Sequence, residues 1–168
     1  MKKADIKRVA FCGMFTAVAI IMGYIESFIV IAGLLPGMKL GLANCVILFV
    51  LMRYGLTSAA LVSLVRIIVV NSLFGNMTAV AFSLAGATLS IFVMSLLKNS
   101  GRFSTVGISL AGGVAHNLGQ VLVAMLIFDN AGMFYYFPIL IVTGVAAGVF
   151  VGILAGLVGR RLEKIAKL

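Results

Sequence analysis

Three polar residues interrupt an otherwise apolar segment of the sequence. In LAGGVAHNLGQVLVAMLIF (110–128), aliphatic and small residues surround His116, Asn117 and Gln120, and the chain has one histidine in all. On a helix with about 100° per residue, Gln120 lies about 40° and Asn117 about 100° from His116, with Gly113 in the same arc. The three side chains then form one stripe of hydrogen-bonding groups beside a glycine that leaves space. This chemistry suits the binding of a small polar molecule.

The sequence lacks the patterns of common catalytic and nucleotide-binding sites. Its four acidic residues are Asp5, Glu26, Asp129 and Glu163, and no two of them are close in sequence. Chemistry on a diphosphate needs neighbouring carboxylates that hold Mg²⁺. No P-loop, nucleophile elbow or metal-ligand spacing occurs either. The sequence therefore predicts a protein that is not an enzyme and that holds no metal and no cofactor.

The composition indicates that membrane helices position these polar residues. Of the 168 residues, 63% are hydrophobic and 10% are charged, whereas soluble domains have about 45–50% apolar and about 25% charged residues. A helix that crosses a bilayer needs about 20 mostly apolar residues. These criteria predict an all-α integral membrane protein with a single domain over residues 1–168. Its six transmembrane helices are expected at about 9–31, 39–54, 56–74, 77–97, 104–128 and 137–159.

The basic residues predict the orientation of the chain. With the amino terminus in the cytoplasm, nearly all of the 13 Lys and Arg residues fall in cytoplasmic segments, leaving Lys39 outside and Arg66 within a span. The positive-inside rule then places both termini in the cytoplasm of a multi-pass protein of a bacterial plasma membrane. The same bias accounts for the net charge of +9 without a nucleic-acid partner.

Other polar residues fall at the depth of the triplet or closer to the outer surface. Because an ionised group in the membrane costs at least about 2.5–3.5 kcal/mol on insertion scales, it faces the bundle interior, a partner or water. We therefore expect a polar cavity in the outer half, open to the outside, in which Lys39 and Arg66 favour a ligand with a carboxylate or phosphate group. Alternatively, Arg66 only pairs with Glu26, and the triplet only bonds neighbouring helices. The candidate binding residues are His116, Asn117, Gln120, Arg66, Asn44, Asn71, Lys39, Glu26 and Asn76.

Small residues repeat along two of the expected helices. In helix 1, Ala10, Gly13 and Ala17 share a face near the cytoplasmic end, which either packs within the bundle or docks a partner helix. In helix 6, glycines at every fourth position form a seam that favours close packing inside the bundle. These are Gly144, Gly148, Gly152 and Gly156.

Several strings in the sequence are specific enough to suggest a family. The chain resembles the Gx transporter family, often labelled heptaprenyl diphosphate synthase component I, which is similar to the substrate-binding S components of energy-coupling factor (ECF) transporters. The resemblance covers about 10–157 and implies a six-helix S-component bundle with a substrate site that faces outside. It is carried by LPGMKLGLANCVILFVLMRYG (35–55), RIIVVNSLFGN (66–76), SLAGATLS (83–90) and GGVAHNLGQ (112–120).

The resemblance also implies partners. An S component captures a vitamin-like or cofactor-related small molecule, and a transmembrane T component with two cytoplasmic ATPases drives uptake. S components typically dock through an Ala-x-x-x-Ala pattern in helix 1, which is Gly13-x-x-x-Ala17 here. The alternative is a membrane accessory subunit of polyprenyl diphosphate or quinone biosynthesis, although prenyl diphosphate synthases use Asp-rich motifs that this sequence lacks. A stand-alone carrier is a third hypothesis.

Overall fold

The computed structural model describes residues 3–28 and 43–165 of the chain. These residues form six α-helices and one short 3₁₀ helix. Five of the α-helices are long and apolar enough to cross a membrane, and the second has only 11 residues. The helices are α1 (Lys3–Ser27), α2 (Asn44–Tyr54), α3 (Leu56–Phe74), α4 (Met77–Ser100), α5 (Thr105–Ile127) and α6 (Phe137–Ile165), and the 3₁₀ helix is Ala131–Tyr136.

The described residues confirm the predicted all-α membrane bundle, but several helix boundaries differ from the prediction. Helix α1 begins earlier and α6 ends later than their apolar runs, because Lys, Arg, Leu and Glu are good helix formers that extend a helix beyond the lipid. The segment between the predicted fifth and sixth helices contains the 3₁₀ helix Ala131–Tyr136. Helix α2 begins at Asn44, and the rest of its predicted span, 39–42, lies outside the described residues.

Basic side chains mark one end of the bundle, which we call the basic end. There, the ring of Phe11 on α1 stacks on the ring of Tyr54 on α2, with centroids 6.2 Å apart. The ammonium group of Lys98 on α4 donates a hydrogen bond to the carbonyl oxygen of Leu51 on α2 at 2.7 Å. The positive-inside rule predicts that this end faces the cytoplasm. Its described basic residues are Arg53, Lys98, Arg102 and Arg161.

The opposite end of the bundle, which we call the far end, is where α1, α3 and α5 finish. The rings of Tyr24 on α1 and Phe74 on α3 lie 4.5 Å apart there. Short connections such as Gly55 between α2 and α3 make consecutive helices antiparallel neighbours. Gly55 has a φ of +87°, which glycine adopts without the steric cost that other residues incur.

Helix α2 occupies the centre of the basic half of the bundle. It contacts α1, α3, α4, α5 and α6, yet it spans only about 16 Å of a hydrocarbon core about 30 Å thick. Its side chains Ile47, Leu48 and Leu51 are almost fully buried and pack in a core that includes Phe15 of α1 and Val151 of α6. The main hydrophobic core therefore lies in the basic half.

Glycines bring α4, α5 and α6 close together. A Cβ atom at Gly148 would lie 2.6 Å from the Cα atom of Leu110 on α5. A Cβ atom at Gly119 would lie 2.6 Å from the carbonyl oxygen of Ala85 on α4. The predicted seam on α6 is confirmed at Gly144, Gly148 and Gly152, whereas a Cβ atom at Gly156 would meet nothing within 4 Å.

Large apolar side chains cover the outside of the bundle. Five long helices each carry large apolar side chains that are more than half exposed. Examples are Ile21, Ile68, Phe92, Leu126 and Val142. A contiguous apolar surface of this kind is unfavourable in water but suits the hydrocarbon of a bilayer. The described part of the chain is thus a multi-pass membrane bundle.

The glycine seam predicts a difference between two positions on α6. We expect Gly148→Ala to lower the free energy of unfolding by about 1–3 kcal/mol, because the added methyl group meets the backbone of α5. Gly156→Ala is the matched control and should leave stability unchanged or slightly raised, since alanine favours helix. Thermal unfolding of the detergent-purified variants measures both. Equal midpoints for the two variants would contradict the seam.

Candidate ligand-binding site

The polar triplet of α5 faces the interior of the bundle. His116 is 3% exposed, Asn117 is 2% exposed and Gln120 is fully buried. None of the three side chains therefore points toward lipid. Gly86 on α4 makes room for the imidazole ring, because a Cβ atom there would lie 2.8 Å from Nδ1 of His116.

His116 and Gln120 contact each other one helical turn apart. The Nε2 atoms of the two side chains are 2.8 Å apart. Because the amide nitrogen of Gln120 can only donate, the imidazole Nε2 accepts, and a neutral His116 then carries its proton on Nδ1. The pair presents a defined hydrogen-bonding pattern rather than two independent side chains.

Asn117 joins α5 to the first turn of α6. Its Nδ2 atom donates to the carbonyl oxygen of Leu140 at 2.6 Å and lies 3.4 Å from the hydroxyl of Thr143. Its Oδ1 atom has no hydrogen-bond partner among the described residues. Asn117 therefore holds two helices together with its amide nitrogen and keeps only its carbonyl oxygen for a ligand.

Two opposite charges are buried between α1 and α3. Arg66 is 4% exposed and Glu26 is 3% exposed, and they are close enough to interact electrostatically. The aliphatic stem of Arg66 passes beside Gly23, where a Cβ atom would lie 3.8 Å from Cδ. Within the described residues, Nε and Nη2 of Arg66 have no hydrogen-bond acceptor. A buried guanidinium whose N–H groups lack acceptors is suited to bind an anionic ligand.

The other predicted asparagines have separate positions. Asn71 on α3 donates to the carbonyl oxygen of Ile67 at 2.9 Å and to the hydroxyl of Ser83 on α4 at 3.3 Å, so it links two helices inside the bundle. Asn76 is exposed, and its Oδ1 atom accepts a hydrogen bond from the backbone of Ala79 at 2.8 Å. Asn76 is thus the N-cap of α4 and lies apart from the buried polar residues.

Asn44, at the start of α2, borders a small cavity between α2, α4, α5 and α6. The cavity provides about 10 Å³ for the centre of a water molecule, enough for about one oxygen-sized group. It lies beside Gly112 and Gly113, about one turn from His116 toward the basic end. The sequence predicted a cavity in the outer half of the membrane, whereas this cavity lies near mid-depth.

Two serines that line this cavity were not among the predicted residues. Ser90 on α4 is 1% exposed and Ser109 on α5 is 3% exposed, and both border the cavity. The available signal was spacing, because Ser83 and Ser90 are seven positions apart and share one face of α4. A serine in an apolar helix is common, however, because its hydroxyl can bond the backbone of its own helix.

The predicted docking residues of α1 lie on its outer surface. Ala10, Gly13 and Ala17 are exposed, and a Cβ atom at Gly13 would meet nothing within 4 Å. Internal packing against another described helix therefore does not explain this face. Lys39, the remaining candidate, lies outside the described residues. Among the described residues, no three His, Cys, Asp or Glu side chains are grouped so that they could hold a metal ion.

Comparison with known proteins gives one match. The model of the family described as heptaprenyl diphosphate synthase component I matches residues 15–158, which is most of the chain. The comparisons with curated proteins and with solved structures gave no match.

The buried charges predict an energetic coupling between α1 and α3. We expect Arg66→Met and Glu26→Gln to be non-additive, with the double variant more stable than the sum of the single effects by about 1–3 kcal/mol, because each single change leaves one charge buried without the other. Unfolding of the four proteins in detergent measures this coupling.

The control pairs Arg66→Met with Asp129→Asn. Asp129 is exposed in the connection after α5, so these two effects should add. Additive behaviour of Arg66→Met with Glu26→Gln as well would show that the two buried charges do not interact.

Proposed function

We propose, since the chain belongs to the heptaprenyl diphosphate synthase component I family, that it is a membrane-embedded ligand-binding subunit that works with separate proteins. One observation carries this proposal. Charged and hydrogen-bonding side chains are buried in the bundle although each is costly to place there, and they include Glu26, Arg66, His116 and Gln120. A polar ligand that binds among these groups would help to offset that cost.

The first candidate is the S component of an energy-coupling factor transporter. In this role, the far end faces outside and admits a vitamin-like or cofactor-related small molecule. His116 and Gln120 orient the ligand through hydrogen bonds, Arg66 and Lys39 attract an anionic group, and the ATPases of the partner module supply the energy. The chain itself then performs no chemistry.

The exposed face of α1 supports this candidate. Ala10, Gly13 and Ala17 are small, outward-facing and near the basic end of α1. In a membrane, small residues let helix backbones approach closely, which is a main source of helix association there. The face therefore fits a helix of a T component.

The second candidate is an accessory subunit of polyprenyl diphosphate synthesis. The family to which the chain belongs is described as a component of such a synthase, which favours this candidate directly. In this role, the chain places a lipid-like substrate or product in the membrane, and a soluble partner supplies the acidic residues that Mg²⁺-dependent chemistry requires. The same buried cation would hold the diphosphate.

Co-purification distinguishes the two candidates. For an S component, we expect the tagged chain to retain a T component and two ATPases, and Gly13→Leu or Ala17→Leu to abolish this because the added bulk separates the helices. Ala60→Leu makes a matched change at an exposed alanine of α3 and should retain the partners. Identification of the captured proteins by mass spectrometry is the readout.

One result would argue against the S component, and another would argue only against its proposed docking surface. Capture of a soluble prenyltransferase, with no ATPase, would support the accessory subunit. Equal capture of ATPases by Gly13→Leu, Ala17→Leu and the control would exclude the face of α1 as the docking surface.

Retention of a small molecule tests ligand binding itself. We expect native mass spectrometry of the purified chain to show a bound small molecule, and His116→Ala to reduce its occupancy about tenfold or more, because a buried hydrogen bond to a ligand is lost. Thr88→Ala, an exposed position of α4, is the control. Unchanged occupancy in His116→Ala would remove the triplet from the site.

A further inference from the structure

We infer that the amino-terminal end of α2 binds an anionic oxygen, from a carboxylate or phosphate group, in the cavity beside Ser90. The inference rests on the ligand-binding function proposed above and specifies the chemical class of the ligand. It depends on the position of α2, on the charges at its two ends, and on the groups that line the cavity.

The first argument is the position of α2. The helix ends at the basic end and starts about 16 Å away, near the middle of a bilayer, at Asn44. The aligned peptide dipoles place about half a positive unit charge at a helix amino terminus. Half-length helices in membrane transporters direct such termini at anionic groups of substrates.

The second argument is that, within residues 3–28 and 43–165, a compensating charge lies at the carboxyl end of α2 and none lies at its amino end. At its carboxyl end, Lys98 donates to the carbonyl oxygen of Leu51 at 2.7 Å. At its amino end, the capping position is Ala43, which makes no side-chain cap, and the first turn contains no acidic residue. Among the described residues, the positive end therefore lacks the negative charge that would complement it.

The third argument is a hydroxyl group in the cavity. Ser90 is 1% exposed and borders the cavity together with Asn44. Its Oγ atom has no hydrogen-bond partner among the described residues. A buried hydroxyl without a partner is costly, and donation to an anionic oxygen would remove this cost. The volume of about 10 Å³ fits one such oxygen.

Arg66 adds positive charge at a similar depth, balanced in part by the buried Glu26. Asn44 and Arg66 are each eleven positions from Gly55, the residue that joins α2 to α3. With an equal rise per residue on both helices, they lie about the same distance from the basic end. Two nitrogen atoms of the buried Arg66 have no acceptor within the described residues. The amino end of α2 and Arg66 on α3 therefore both present positive charge near the centre of the bundle.

The test titrates inorganic phosphate into the full chain in maltoside detergent, which contains no phosphorus. We expect saturable broadening of the phosphate signal in ³¹P NMR, with acetate as a competitor. Ser90→Ala should weaken binding about tenfold, because a hydrogen bond to a charged group is lost. Asn44→Asp should abolish binding, because its own carboxylate complements the helix terminus.

Controls separate the site from unspecific attraction and from misfolding. Thr88→Ala, an exposed change on the same helix, should bind phosphate like the wild type. Ser90→Ala should keep or raise the thermal midpoint measured without phosphate, since it removes a buried hydroxyl that has no partner among the described residues. A lowered midpoint for Ser90→Ala would show that its hydroxyl already stabilises the bundle and would contradict the anion site.

Two further results would overturn the inference. One is a wild type that shows no saturable broadening, and the other is a Ser90→Ala variant with wild-type affinity. Either would leave the proposed function standing if the chain still retains a small molecule and its partner proteins. Conversely, loss of those partners would not affect phosphate binding at α2.

Discussion

The structure depends on the cost of placing polar groups in hydrocarbon. Each charged or hydrogen-bonding side chain in the membrane must find a partner within the protein, because lipid offers none. The chain meets this constraint unevenly: an apolar core around Leu48 and Leu51 fills the basic half, whereas Arg66, His116 and Gln120 are buried beyond it. The two halves differ because α2 fills the centre of the basic half. Its first described turn, at Asn44, lies at the boundary with the far half.

Glycines make this unequal arrangement possible. Helix α5 carries the polar triplet, and it approaches α4 and α6 so closely that the ring of His116 lies against Gly86 and the backbone at Leu110 lies against Gly148. Lipid chains are as apolar as the side chains, so the hydrophobic effect does not drive helices together in a membrane. Close contacts of this kind stabilise the bundle through dispersion instead. The close packing of α4, α5 and α6 then sets the positions of His116, Asn117 and Ser90.

Much of the fold was predictable from the sequence, because long apolar runs report directly on helices in lipid. The inward direction of His116 and Gln120 was also predictable, because polar side chains are costly in lipid and therefore face the interior of a bundle. The start of α2 at Asn44 was not, since the hydropathy of the run 39–54 does not show where a helix begins. The roles of Asn117 and Asn76 also depended on partners in space, the carbonyl oxygen of Leu140 and the backbone of Ala79. The cavity at Ser90 required the packing of four helices.

The two candidate functions make the same physical demand on the bundle. With the anionic ligand proposed above, a transporter subunit and an accessory subunit of prenyl-lipid synthesis both stabilise a charged group near mid-membrane, where its hydration is lost. If the guanidinium of Arg66 alone stabilised an anionic ligand, two ions would be buried side by side. Burial of such a pair is costly unless further hydrogen bonds are made. The amino end of α2 contributes partial charge from backbone groups that are already fixed, and this stabilises an anion without adding another ion. In the proposed anion site, the short helix at the centre of the bundle therefore lets a charged ligand bind at a depth where lipid alone would exclude it.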